Sequence, residues 1–127
     1  MTQSILLVDD SRTMLQVLRV YLMGRAFNFL DAENAERAMR LLRLVPVSLV
    51  ILDVNMPGMD GITFLQQLRS SELRHLQTVP VVVVTAMKDE AVEARARAVG
   101  ASAFLHKPLD GELVARVVDG LLAQRST

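Results

Sequence analysis

Three carboxylates, a hydroxyl and an ammonium stand at or just past the ends of short apolar runs. Asp9-Asp10 follow Ile5-Leu6-Leu7-Val8, and Asp53 follows Leu49-Val50-Ile51-Leu52. Thr85 follows Val79 to Val84, and Lys107-Pro108 follow Ala103 to His106. Mg²⁺ takes one or two carboxylates plus waters and phosphate oxygens. Asp10 and Asp53 can supply those carboxylates, and Asp9 can ligate through water or orient a neighbour. Three acids so close repel one another, and a dication offsets the repulsion. Lys107 can pair with Asp53 and later with a phosphoryl group, Thr85 offers a hydroxyl donor, and Asp53 can act as a nucleophile. Taken singly, Asp53 or Asp10 is a turn or helix cap, Thr85 a strand residue and Lys107 a solvated charge. Their shared placement favours one pocket.

The elements that must position these groups are legible as alternating runs. The first apolar run is rich in branched residues, as in a strand buried on both faces. Asp10 or Ser11 can cap the helix that follows. Met14, Val17, Leu18, Tyr21 and Leu22 carry its apolar stripe, and Gly24 comes near its end. Phe27 to Leu30 reads as a weaker second strand. Ala35, Ala38, Met39 and Leu42 line a second helix. After the third strand come Pro57, Gly58 and Gly61, then a helix from about Ile62 to Ser70. Val79 to Val84 is a fourth strand with Pro80 near its start. A fourth helix runs from Asp89 to Val99, closed by Gly100, and Ala103 to His106 is a fifth strand. Val114, Val117, Val118, Leu121 and Leu122 stripe the fifth helix. Five strand–helix alternations imply an α/β fold with a parallel sheet and helices on both faces, joined by right-handed crossovers. In such open sheets, ligands bind outside the carboxyl ends of the strands.

The 127 residues suit one domain, with an ordered core expected over about 4–123 and a polar tail at 124–127 that frays. Hydrophobic residues make up 51% and aromatics 4%, so the core is aliphatic. The absence of cysteine excludes a disulfide scaffold and thiolate zinc sites. Fourteen basic residues balance fourteen acidic ones, which argues against a dedicated nucleic-acid binder. No apolar stretch approaches a membrane span, and the N-terminus lacks a signal-peptide layout. A soluble, cytoplasmic protein is expected.

The segments ILLVDDSRTM, LVILDVNMPGMDG, VVVVTAMKD and GASAFLHKPL occur in this order across nearly the whole chain. Together they resemble the response-regulator receiver domain of two-component signalling, of the kind found in the bacterial chemotaxis regulator. The resemblance implies a (βα)5 flavodoxin-like doubly wound sheet with strand order 2-1-3-4-5. It implies that Asp53 accepts a phosphoryl group from the phosphohistidine of a sensor histidine kinase or a histidine phosphotransfer protein. Asp10, Asp53 and the backbone carbonyl of Asn55 would then ligate Mg²⁺ (or Mn²⁺), with Asp9 acting through water. Thr85 and Lys107 would contact the phosphoryl oxygens, and Lys107-Pro108 would be a cis peptide. Phe104 matches the family's switch aromatic, with Ala86 leaving room for an inward rotamer. The alternative for Phe104 is a core residue of the fifth strand. A downstream protein would read the face of the fourth helix, fifth strand and fifth helix.

Other features belong to this chain. Phe104 lacks the hydroxyl of the tyrosine that many members carry. Asn55 and Met87 flank the phosphoryl site and are expected to tune phosphate lifetime. Met56, Met59 and Met87 can form an adaptable rim for a kinase or a loop packed on itself. His75 and His106 are isolated and read as structural, and Arg95 and Arg97 as the solvated side of a helix. Ser102-Ala103 replaces an acidic pair common in the dimeric transcriptional class, so a monomer or weak dimer is expected, with neither nucleic-acid binding nor membrane insertion. A magnesium phosphatase of the haloacid dehalogenase type shares the Asp, hydroxyl and Lys. It places a second Asp two residues after the nucleophile, where this chain has Asn55. A flavodoxin-like cofactor binder would want a phosphate loop where Asp9-Asp10 stand, and a phosphorylation-independent docking module would not need the intact set. The chain reads as a signalling switch rather than an enzyme, either stand-alone or a receiver from a longer transcriptional or enzymatic regulator.

Overall fold

A computed structural model describes residues 3–56, 60–86 and 90–125. Five strands, β1 (Gln3–Val8), β2 (Phe27–Ala32), β3 (Leu49–Asp53), β4 (Val81–Thr85) and β5 (Ala103–His106), form one sheet. Their order is β2-β1-β3-β4-β5, and every pairing is parallel. This is the flavodoxin-like order that the resemblance implies. Among the described residues, six helices connect and flank the strands: α1 (Arg12–Tyr21), α2 (Ala35–Leu44), α3 (Gly61–Arg69), α4 (Arg74–Thr78), α5 (Glu90–Ala98) and α6 (Gly111–Arg125).

Alternation along the strands splits the core in two. Leu6, Val8, Val50, Leu52, Val81 and Val83 face α2, α3, α4 and α5, where Leu42, Leu65, Leu68, Leu76 and Ala96 meet them. Ile5, Leu7, Leu49, Ile51, Val82 and Val84 face α1 and α6, which supply Leu15, Leu18, Leu22, Val114, Val118 and Leu122. Burying each such side chain contributes about 1.5–3 kcal/mol. Strands apolar on both faces explain why β1, β3 and β4 read as continuous runs.

Some boundaries differ from the sequence reading. The short helix α4 is unanticipated; its five residues are too few for a periodic pattern, and Leu76 alone anchors it fully. The expected fourth helix is therefore α5, and the expected fifth is α6. Strand β2 extends to Ala32 because it pairs with β1 up to Val8. Strand β4 begins at Val81, while the amide of Val50 donates to Pro80 O at 2.9 Å. Helix α6 continues through Arg125, two residues past the expected core. Pro57, Gly58, Met59, Met87, Asp89, Ser126 and Thr127, all named above, lie outside the described residues.

Helix entry after β3 is tight. Asp60 caps α3, its carboxylate accepting from the amides of Ile62 and Thr63. A Cβ on Gly61 would lie 2.6 Å from Val54 Cα, a backbone clash that no rotamer relieves. Gly61→Ala is expected to destabilise the protein by about 1–3 kcal/mol, with equilibrium urea unfolding as the check; an unchanged midpoint would show that the β3–α3 connection can yield.

Candidate functional site: an acidic pocket at the strand ends

Parallel pairing brings the ends of β1, β3, β4 and β5 to one edge. Among the described residues, the buried polar or charged side chains are Asp9, Asp53 and Thr85, at 2%, 4% and 3% exposure. Asp10 is exposed beside them. One carboxylate oxygen from each of Asp9, Asp10 and Asp53 lies within 4.8 Å of the others. The predicted acids are thus brought together, and Lys107 joins them: its Nζ donates to Asp53 Oδ2 at 3.1 Å.

Local bonds hold each member. Asp9 Oδ1 accepts from the amide of Ser11 at 2.9 Å. Ser11, not Asp10, caps α1, its Oγ accepting from the Met14 amide at 3.2 Å. Asp10 is thereby left out of the cap. Asp53 Oδ1 accepts from the amide of Asn55 at 2.8 Å. The Lys107 amide donates to Thr85 O at 2.9 Å, fixing β5's end to β4's. Lys107-Pro108 is cis, as expected. Beyond it, Asp110 caps α6 through the amides of Glu112 and Leu113. Tyr21 of α1 donates to Leu109 O at 3.4 Å, and its ring fills the space beside Gly111.

Burial pushes the Asp9 carboxyl up from 3.8 to about 6, and the Asp53 and Asp10 charges add to the rise. The Ser11 amide and Lys107 oppose it. Asp9 therefore holds its proton more tightly folded than unfolded. Its contribution to stability is full below about pH 3.8 and is lost as pH rises through about 6. At neutral pH the ionised group is a liability that a cation can relieve. The donor set is all carboxylate oxygen, which suits a hard divalent ion such as Mg²⁺.

Several contacts had no signal in the sequence. Asn55 Oδ1 accepts from the amide of Ala86 at 2.9 Å, tying the loop after β3 to the residue after Thr85. Arg97 is exposed but not merely solvated, since its guanidinium carbon sits 4.7 Å from the centre of the half-buried Phe104 ring. Met56 is buried in the core, which corrects its expected place on an adaptable rim. His75 is structural, its Nε2 lying 3.3 Å from Leu42 O. His106 Nε2 lies 3.1 Å from Glu93 Oε1. The angle is too poor for a hydrogen bond, and that buried nitrogen has no hydrogen-bond partner. A cleft of about 410 Å³ lined by Arg43, Leu44, Pro46 and His75 borders none of the strand-end acids.

A doubly wound α/β sheet carrying two buried acids, a third exposed one and a lysine at its C-terminal edge narrows the class of protein to which the chain can belong. The model of the response regulator receiver domain matches residues 5–119, and the chain belongs to that family. It is 31% identical over 119 residues to Protein PilH of Pseudomonas aeruginosa, covering 94% of this chain and 97% of that one. It is 40% identical over 114 residues to the transcriptional regulatory protein CpxR of Klebsiella pneumoniae, covering 89% of this chain but 47% of that protein. The chain thus spans about half the length of several curated relatives it matches. The receiver domain of an HD domain-containing protein from Pseudomonas fluorescens Pf-5 superposes with a TM-score of 0.89 at 27% identity, covering 99% of this chain and 98% of that one. Chemotaxis response regulator CheY4 of Vibrio cholerae shares the fold, with a TM-score of 0.86 at 24% identity, over 95% of this chain and 99% of that one. The chain is thus a response-regulator receiver domain of two-component signalling. No helix among the described residues is long and apolar enough to cross a membrane.

Removing the Asp9 charge tests the electrostatics. Asp9→Asn keeps an acceptor for the Ser11 amide and is expected to stabilise the metal-free protein at pH 7.5. A shift of about two pKa units corresponds to about 3 kcal/mol, so a gain of about 1–3 kcal/mol is expected. The gain should vanish toward pH 4, where wild-type Asp9 is protonated. Unfolding free energies across pH 4–8 check this; a difference that does not change with pH would contradict the burial argument.

Proposed function

We propose that this receiver is switched by phosphorylation of Asp53, with a phosphohistidine on a sensor histidine kinase or histidine phosphotransfer protein as donor. The observation that carries the reading is the Asp53 carboxylate held at 3.1 Å from Lys107 and within 4.8 Å of two further acids, at the mouth of an apolar sheet. Asp53 attacks as the carboxylate. A P–O bond forms, the P–N bond of the donor breaks, and its electron pair returns to the imidazole.

Asp9, Asp10, Asp53 and the Asn55 carbonyl would hold Mg²⁺ or Mn²⁺. When bound, the ion would neutralise charge on the acids and on the incoming phosphoryl oxygens. Lys107 supplies a compact positive charge that can pass from Asp53 to a phosphoryl oxygen without leaving the pocket. Thr85, at the end of β4, presents a hydroxyl to the same edge. Drawing Thr85 toward a phosphoryl group would pull on the segment that leads into α5. Phe104 could then turn inward beside Ala86. The face of α5, β5 and α6 is the surface a downstream protein would read. Asn55, bonded through its amide to Asp53 and through its side chain to Ala86, is placed to tune phosphate lifetime. Met87 belongs to the same proposal.

The balanced charge favours protein partners over nucleic acid, and a monomer or weak dimer is proposed, acting in the cytoplasm. A haloacid dehalogenase-type phosphatase is disfavoured by the carboxamide of Asn55, which cannot serve as general acid and is engaged with Ala86.

Acetyl phosphate with Mg²⁺ should add one acid-labile phosphoryl group, and Asp53→Asn should abolish it. Intact-mass spectra with equal labelling of both proteins would sink the assignment. Lys107→Ala should leave metal binding largely intact yet uncouple labelling from the Phe104 environment. Fluorine NMR of a fluorophenylalanine at 104 reads that uncoupling, and an identical shift on labelling in both proteins would remove Lys107 from the relay.

A further inference from the structure

Helix α5 is lightly anchored. Of its nine residues, Ala96 alone is fully buried, against two each in α1 and α2 and five in α3. Its C-terminal end is nonetheless pinned. Arg69 of α3 donates to Gly100 O through Nη2 at 2.8 Å and Nε at 3.2 Å, and to Leu76 O through Nη1 at 3.1 Å. Gly100 takes φ +103°, and a Cβ there would meet Arg69 Nε at 2.8 Å. The other end of α5 follows the segment that leaves Thr85. A helix fixed at one end and displaced at the other would turn as a lever.

Two side chains of α5 reach β5. Arg97 lies over the Phe104 ring, and Glu93 lies against His106. Four residues along a helix advance about 6 Å, and two along a strand about 6.6 Å. The contacts are therefore matched rungs, and both strand residues lie on the same face of β5. The rungs differ in completeness. The guanidinium is seated at 4.7 Å from the ring centre, within the range of a cation–π contact. His106 Nε2 has the distance to Glu93 but not the direction, so this buried nitrogen is unsatisfied. Leaving a buried donor or acceptor unpaired is unfavourable. A small swing of α5 could complete that bond. Glu93 is farther from Gly100 than Arg97 is, about 10 Å against about 4.5 Å along the axis, so the same rotation moves it more.

We propose that Arg97 and Glu93 are positioning residues acting through β5: Arg97 on Phe104 holds α5 in its resting place, and Glu93 stands ready to bond His106 when α5 swings. For its signalling meaning this rests on the phosphorylation reading above; the opposition of the two rungs stands on the contacts alone.

Amide hydrogen exchange of the full chain, without phosphoryl donor, tests it. Arg97→Gln removes the guanidinium from the ring and keeps a polar side chain that suits a helix. It should speed exchange over 90–98 by roughly twofold to fivefold, while Arg97→Lys stays within twofold of wild type. Glu93→Ala should leave resting exchange within twofold, because its rung is unmade. Equal exchange in wild type and Arg97→Gln would overturn the clamp. So would a rise in α2 as large as that in α5, the mark of global loosening. Loosening by Glu93→Ala equal to that by Arg97→Gln would overturn the division between the rungs. Labelling with acetyl phosphate and Mg²⁺ is followed in parallel by intact mass. An unlabelled wild type would refute the phosphorylation reading while the exchange comparison still decides the clamp.

Discussion

Two carboxylates held almost out of water set the terms for the rest of this molecule. Asp9 and Asp53 sit at the mouth of a sheet whose buried side chains are, Thr85 aside, otherwise apolar among the described residues. A buried ionised group is tolerated only when paired or hydrogen-bonded. The amides of Ser11 and Asn55 and the ammonium of Lys107 supply that pairing. They do not fully compensate, as the raised Asp9 carboxyl shows. The Asp110 cap, the Tyr21 contact and the Lys107 amide bond to Thr85 O gather around the residues that present Lys107. The local order at this edge is thus what keeps one ammonium beside one carboxylate. A phosphoryl group would add further negative charge, so its acceptance there would require a cation as well as Lys107.

Much of this was legible because the relevant elements announce themselves one residue at a time. Strands buried on both faces leave continuous apolar runs, and a polar residue closing such a run marks its end. Asp9, Asp53, Thr85 and Lys107 could be placed at one edge for that reason. What could not be read depends on the angle at which elements meet. Arg97 reads as a solvated helix residue until the helix is laid on β5 and Phe104 appears beneath it. Met56 follows a strand and precedes a loop, yet it folds back into the core. Helix α4 is a single buried leucine in a polar stretch. The Asn55 carboxamide meets Ala86 across thirty-one residues of sequence, and only the packing of β3 beside β4 brings them together.

The site and the lightly anchored helix are neighbours in sequence and in space. The residue after Thr85 is already bonded to Asn55, itself bonded to Asp53. A disturbance at Asp53 therefore has a hydrogen-bonded route to Ala86, four residues before α5 begins. Elements that move in switching are drawn from the weakly held parts of a fold, and α5 meets that description while α3 does not. Rigidity in α3 is as necessary as looseness in α5, because Arg69 needs a fixed base from which to hold Gly100.

Magnitudes decide whether such a switch could work. Moving a two-state element from one per cent to ninety-nine per cent takes about 5.5 kcal/mol of differential interaction. A cation–π contact at a partly exposed site opposes the motion by about 0.5–1 kcal/mol. Hydrogen bonds to charged groups are each worth about 1.5–3 kcal/mol. Two of them, from the Thr85 hydroxyl and the Lys107 ammonium to phosphoryl oxygens, would supply about 3–6 kcal/mol. Lys107, however, already donates to Asp53, so part of its gain is an exchange rather than an addition. The net gain is then smaller than the sum, so the resting state cannot be held by much more than the Arg97 contact if the switch is to be complete. A deeply buried α5 would be too stable to turn, and one with no contact to Phe104 would lose about 0.5–1 kcal/mol of its resting preference.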